Sequence, residues 1–362
     1  MKENRKEHRQ DFCYNKKEFS EEFCNVKKRM IQLSLLALGL TLTPVHAEVS
    51  GRALITADSR IGEIVRQDAP RFEDGTAYLE EDADFPQIKS DFVYMVDMDT
   101  GQVMIDKGSE DQIYPASMTK MMTLLVAIEN APALDSTMTL GPEVFAGLAE
   151  AHASVAGFKQ GETVSVKDLL YGLMLESYND AAVMIAEHIG GTGKDFARLM
   201  NKKAEDLGCR DTWFITPNGL DAKETDETGK ERIHSTTAED LARIMVYCIQ
   251  QSPKKEEFLK ITQTQDRTFY DSENKHQIQC RNHNAFLTMM DGALTGKTGF
   301  TGGAGYSYVG ALKKDGKLFV IALLGCSWPP YKTRKWSDAG ILFSYGLKNY
   351  NKTDLYKHLG KT

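Results

Sequence analysis

"YSYVGALKKDGKLFVIALLGC", residues 306–326, is two apolar runs about an Asp315-Gly316 turn. Asp-Gly between apolar runs is a strong hairpin signal, because the two-residue turn that matches strand twist needs positive φ at its central positions. A second such pair stands far upstream in "DFVYMVDMDTGQVMIDKG" (91–108), with Asp99-Thr100-Gly101 as its turn. Between the two pairs, from 137 to about 290, the apolar period is helical. Strands at both ends with helices between predict an α+β fold, one antiparallel sheet built from both chain ends with a helical lobe at about 120–285 inserted.

Within the lobe, "MTKMMTLLVAIEN" (118–130) is apolar on nearly every side, which predicts a helix buried all round. "VSVKDLLYGLMLE" and "DAAVMIAEHIG" read as adjacent helices split by "SYN", and "FARLMNKKAEDLG" ends on Gly208 as helices commonly do. In "STTAEDLARIMVYCIQ", Ser235, Thr236 or Thr237 serves as the cap, with Glu239 and Asp240 in the first turn, where carboxylates suit the helix dipole. "DAGILFSYGLKNY" is a closing helix. We expect residues 91–350 to form the catalytic domain, preceded by an acidic extended lead-in at 48–90 and followed by a polar tail at 351–362 with no further β-domain.

Residues 1–47 read differently. A charged stretch ending in "KKR" precedes "MIQLSLLALGLTLTPVHA", and a basic flank, a short apolar core and small residues before a break describe a signal peptide with a long n-region. Cleavage is expected after Ala47, with the protein exported to the cell envelope or secreted. Removing these residues takes away nine Lys/Arg and six Asp/Glu, so the formal charge moves from −7 to −10. An acidic exported body argues against nucleic acid as a partner. Cys209, Cys248, Cys280 and Cys326 are widely spaced without a CxxC pair, and we expect reduced, buried thiols. His188, His234 and His283 lack metal-ligand spacing and read as helix or loop residues, so no metal is expected.

Three short motifs carry chemistry. Ser117-x-x-Lys120 heads the buried helix, where residues three apart share a face. Burial disfavours an ammonium, and a neutral Lys120 can take the Ser117 proton. SxxK also occurs at Ser252–Lys255 and Ser272–Lys275, in polar stretches where a solvated lysine stays protonated. By itself the first copy divides evenly between a nucleophile and a capping serine followed by a snorkelling lysine. Ser177-Tyr178-Asn179 lies at a helix junction, where Ser177, Asn179 or Asp180 also serves as an ordinary cap. Lys297-Thr298-Gly299 occurs once; Gly292 is one residue too near for a phosphate loop, and the strand pair that follows suits an edge strand that pairs with an extended peptide. In the order SxxK, SxN, KTG, the three together form the serine-lysine set of penicillin-binding proteins and β-lactamases.

From about residue 91 to about 347 the chain resembles the serine-type D-alanyl-D-alanine carboxypeptidases, the low-molecular-weight penicillin-binding proteins. "YPASMTKMMT", "GETVSVKDLLYGLMLESYNDAAVMIAEHIGG", "TPNGLDA", "STTAEDLARI" and "GKTGFTGGAGYSYVGA" follow that family's blocks in order. The resemblance implies a β-lactamase/transpeptidase-like fold and removal of the terminal D-Ala from peptidoglycan stem pentapeptides, with no cofactor. It implies that Ser117 is the acyl-ester nucleophile, Lys120 its proton acceptor and Ser177 a proton relay, with Asn179, Lys297, Thr298 and Gly299 binding substrate. β-Lactams are the implied inhibitors, and peripheral association with membrane or wall the implied setting. Tyr178 departs from the small residue more often found there, and a carboxylate-gripping role for Arg334 stays unassigned because the local match slips by one residue. A β-lactam hydrolase and a non-catalytic, penicillin-binding wall sensor are the competing readings. No local motif singles out the deacylating base the first needs, and three intact motifs argue against the second.

Overall fold

The computed structural model describes residues 88–349, apart from 132, 146–147, 149–150 and 152, together with a two-residue strand pair at 72–73 and 76–77. The expected signal peptide, nearly all of the lead-in and the polar tail lie outside the described residues. Two strands open the domain, β1 (Phe92–Asp97) and β2 (Val103–Lys107). The lobe follows with α1 (Thr119–Asn130), β3 (Thr137–Thr139), β4 (Thr163–Ser165), α2 (Val166–Leu175), α3 (Asn179–Gly190), α4 (Gly193–Asp206), β5 (Lys223–Thr225), β6 (Glu231–Ile233), α5 (Ala238–Val246), α6 (Lys255–Gln263), β7 (Asp266–Tyr270) and β8 (Gln277–Arg281). The chain then returns to the sheet with β9 (Ala293–Thr301), β10 (Gly305–Lys314) and β11 (Lys317–Ser327), and α7 (Arg334–Asn349) closes it.

The five-stranded sheet runs β9-β10-β11-β1-β2, antiparallel throughout. Both chain ends supply it, as the two hairpins predict. Asp315 and Gly316 turn at φ 52° and 72°, the positive angles a tight hairpin requires. Successive residues face opposite sides of a strand, and here both sides are covered. Tyr94, Val96, Val320, Ala322 and Leu324 join the core shared with the lobe, whereas Val93, Met95, Phe319, Ile321 and Leu323 pack with Leu342 and Phe343 of α7. At the domain's start, Asp338 of α7 accepts hydrogen bonds from Lys89 N (3.0 Å), Ser90 N (2.8 Å) and Ser90 Oγ (2.6 Å), so the last residues before β1 are pinned to the outer layer.

The lobe is less uniformly helical than its sequence suggests. Three antiparallel ribbons, β3–β4, β5–β6 and β7–β8, interrupt it. Each strand has three to five residues and a side at least partly open to solvent, too short to produce a strong alternating signal. Only "QIQCR", with Ile278 and Cys280 buried and its other positions exposed, shows the two-residue period plainly. As expected, α1 is buried from Thr119 to Ile128, and Thr237 is the residue that caps α5, its side chain accepting from Asp240 N. The four cysteines among the described residues are free and buried. Among the described residues, no helix is long and apolar enough to cross a membrane.

Candidate active site

The site is built where the edge strand β9 meets the lobe. Ser117 sits in a single 3-10 turn, Ala116–Met118, that runs directly into α1. No side chain caps either segment, so Ser117 is not a helix cap. Ala116, just before it, has φ 49°, a left-handed angle rare for residues with a Cβ. The 215–222 loop lies against that turn. Gly219 (φ 88°) presses on it so closely that an added Cβ would overlap the Ala116 carbonyl.

His234 ties this loop to α1. Its Nδ1 accepts from Ile215 N (2.8 Å), which leaves Nε2 to carry the ring proton and donate to Thr119 Oγ1 at 3.0 Å. Burial, then the nearby Lys120, pushes the imidazole down to about 3, so it stays neutral. Thr123 Oγ1 adds a 2.6 Å bond to Pro217 O. The reading of His234 as structural therefore matches its surroundings.

Lys120 is fully buried and its Nζ meets three oxygens: Ser117 Oγ at 3.0 Å, Asn179 Oδ1 at 2.9 Å and Asn218 O at 2.6 Å. Asn179 is oriented by its own amide, whose Nδ2 donates to Ser154 O at 2.9 Å, so Oδ1 must face the lysine. Burial, followed by repulsion from Lys297, holds Lys120 well below the ordinary lysine range, with Asp180 opposing. A neutral amine has two hydrogens and one lone pair. Asn179 Oδ1 and Asn218 O can only accept, so they take both hydrogens and turn the lone pair toward the Ser117 hydroxyl.

A second serine–lysine pair lies alongside. Ser177, in the turn between α2 and α3, has φ 63°. It receives Lys297 Nζ at 3.0 Å, and the same amine donates to Thr298 O at 2.9 Å. Lys297 is buried too, and burial brings its amine down to about 7. The expected caps for α3 are absent: Tyr178 occupies the N-cap without a side-chain bond, and Asp180 instead accepts from Ala156 N (2.9 Å) and Ala181 N (2.9 Å). The Tyr178 ring lies over Gly172, where an added Cβ would stand 2.9 Å from it. Gly299 packs on the Ser117 turn, with Ser117 N 3.3 Å from where its Cβ would stand.

The structure thus joins Ser117, Lys120 and Asn179 in one cluster and Ser177 with Lys297 in another, with Gly299 beside Ser117 and Thr298 contributing its carbonyl. The other SxxK copies do not assemble. Lys255 and Lys275 are exposed, and Ser252 Oγ donates to Glu129 at 2.7 Å instead. Arg334 is exposed and stacks on the Tyr331 ring at 4.0 Å. Sequence reasoning missed the Asn218 carbonyl and Gly219. The signal was the Asn-Gly step in "TPNGLDA", a turn dipeptide.

A family model described as D-alanyl-D-alanine carboxypeptidase matches residues 79–327. The chain belongs to that family. It is 31% identical over 268 residues to the D-alanyl-D-alanine carboxypeptidase DacF of Bacillus subtilis, covering 73% of this chain and 63% of the relative's length. It is 32% identical over 253 residues to DacB2 of Mycobacterium tuberculosis, covering 70% of this chain and 80% of that one. Among solved structures, a D-alanyl-D-alanine carboxypeptidase from Mycobacterium tuberculosis aligns with TM-score 0.63 at 29% identity, over 75% of this chain and 96% of that one. A Streptomyces DD-transpeptidase aligns with TM-score 0.64 at 27% identity, over 72% and 98%. The neighbours agree with the α+β architecture seen here, a sheet of both chain ends with an inserted lobe.

Proposed function

We propose that this chain removes the terminal D-Ala from peptidoglycan stem pentapeptides through a Ser117 acyl-enzyme, and that penicillins acylate the same serine. The observation that carries the reading is the hydrogen-bond set of Lys120, which leaves a neutral amine's lone pair aimed at the Ser117 hydroxyl. Lys120 takes the proton as Ser117 Oγ attacks the carbonyl of the penultimate D-Ala. The Ser117 N–H, at the start of the helical turn, supports the oxyanion. Collapse expels D-Ala, whose amine carries a proton away, and leaves the ester.

In the second half-reaction, water attacks the ester and gives a proton to the basic groups of the site. Ser177 relays it, and the resulting acid leaves with Ser117 restored. Lys297, with Thr298 and the glycine that admits Ser117 close to the strand, binds the terminal carboxylate. A carboxylate favours the charged form of an amine poised near 7, so substrate binding sets Lys297 as the cation, and its charge lowers the proton affinity of Lys120. A wall-peptide substrate calls for export, with peripheral association at membrane or wall; the basic flank and apolar run ending at Ala47 support that part.

Ser117→Ala is expected to abolish both D-Ala release from a stem pentapeptide and covalent labelling by a fluorescent penicillin. Mass spectrometry of the labelled wild-type peptide should locate the adduct on Ser117. Labelling that survives the substitution removes the nucleophile assignment. Rapid turnover of bound penicillin would favour a β-lactam hydrolase instead.

A further inference from the structure

Ser177 and Lys297 meet at 3.0 Å, yet one belongs to the turn after α2 and the other to β9. Ser177 holds a left-handed φ of 63°, a strained angle for a residue with a Cβ, and such angles persist only where the surroundings fix them. The carboxylate of Glu176, next in the chain, has no part in the chemistry above. Its Oε1 accepts from Arg281 N at 2.8 Å, and its Oε2 lies 2.9 Å from His283 Nε2. His283 N in turn donates to the carbonyl of Leu175, the last residue of α2, at 3.0 Å. Burial lowers the His283 imidazole, with Glu176 opposing, so near neutral pH the ring is uncharged and the contact does not depend on an ion pair.

Successive N–H groups of an extended segment face opposite ways, and Asn282, between those two contacts, binds the far side. Its N donates to Gln265 O at 2.7 Å, and its Nδ2 donates to Thr262 O at 2.9 Å and Thr264 O at 2.8 Å, at the end of α6. Thr262 is buried, and its Oγ1 accepts from Thr295 Oγ1 at 2.7 Å. Thr295 stands two residues before Lys297 on β9, so both side chains leave the same face. A closed frame results: Glu176 to residues 281 and 283, Asn282 to Thr262, Thr262 to Thr295, and Lys297 back to Ser177. Lys120 is oriented by other means, since Asn179 is held by Ser154 and Asn218 lies in the 215–222 loop.

We propose that Glu176 and Asn282 are positioning residues for the second half-reaction: from opposite sides of residues 281–283 they set the approach of Ser177 to Lys297. The inference rests on the roles proposed above for Ser117 and Ser177.

The test separates the two half-reactions. A fluorescent penicillin gives the rate of acylation, and loss of the label after the free compound is removed gives the rate of release. Glu176→Ala, Asn282→Ala and Thr295→Val should each slow release about ten-fold or more while acylation changes by no more than about two-fold, as a displaced reacting group would require. Thr295→Val keeps the branched shape and opens the frame at its β9 end, so it carries the test if either alanine variant fails to fold. Glu176→Gln keeps an acceptor for Arg281 N and should restore release to within about two-fold of the wild type. Combining Glu176→Ala with Asn282→Ala should slow release little more than either alone, because the frame is broken only once; losses that multiply overturn the inference. Release and acylation slowed together, in proportion to lost thermal stability, also overturn it, as does unchanged release in Glu176→Ala and Thr295→Val. Wild-type protein that neither takes the label nor releases D-Ala from a stem pentapeptide overturns it together with the reading of the reaction.

Discussion

Lys297→Met separates the cost of the second lysine from its use. Met keeps an unbranched stem and removes the titrating amine. Lys297 is 2% exposed, and burial lowers its pKa from 10.5 to about 7. At about 1.4 kcal/mol per unit, the buried ammonium costs the fold roughly 5 kcal/mol relative to the unfolded chain. Below pH 7 both states hold the proton and that cost is borne in full. Between about pH 7 and 10.5 the unfolded chain holds a proton that the folded chain has released, so wild-type stability rises with pH. The variant lacks this rise. The difference in unfolding free energy, wild type minus variant, should therefore shift by roughly 3–4 kcal/mol in favour of the wild type from pH 7 to pH 10. Hydrogen bonds lost at Ser177 and Thr298 offset both ends of the range alike and leave the slope intact. Urea unfolding followed by fluorescence, at fixed ionic strength and stepped pH, measures it. Parallel stability curves for the two proteins would refute the buried, depressed lysine.

Two other outcomes test the clamp around Ser117. His234 is pushed down to about 3 by burial and then by Lys120, so below pH 6.5 the unfolded chain gains a proton that the fold refuses. Stability should fall with acid by up to about 1.4 kcal/mol per pH unit, and thermal melts of His234→Gln should show a flatter acid limb. Gly219→Ala forces a Cβ onto the Ala116 carbonyl from a left-handed backbone angle; it should destabilise by about 1–3 kcal/mol and slow penicillin acylation by roughly ten-fold or more, read by labelling rate against melting temperature. Unchanged labelling in Gly219→Ala would show that the loop does not set the Ser117 geometry.

The sheet and the principal helices were legible because their signals are local. The Asp-Gly hairpin, the apolar run of α1 and the Thr237 cap each depend on residues within one turn or one strand. The three ribbons were not, since strands of three to five residues with one wet side leave almost no periodic trace. The capping alternatives for Ser117 and for the Ser177–Asp180 segment were also plausible locally, and the structure shows no such caps and gives Ser117, Ser177 and Asp180 other partners.

By itself the sequence determined the α+β class and the sheet drawn from both ends, and it singled out the serines and lysines of three ordered motifs. It left the first SxxK evenly balanced between a cap and a nucleophile. Only the tertiary structure shows that Ser117 caps no helix and meets a buried Lys120, whose orienting groups come from residues 59 and 98 positions away in the chain. Ser177 and Lys297 likewise meet across 120 positions. Burial and a fixed set of acceptors determine which way a lysine's lone pair points, and no local spacing contains them.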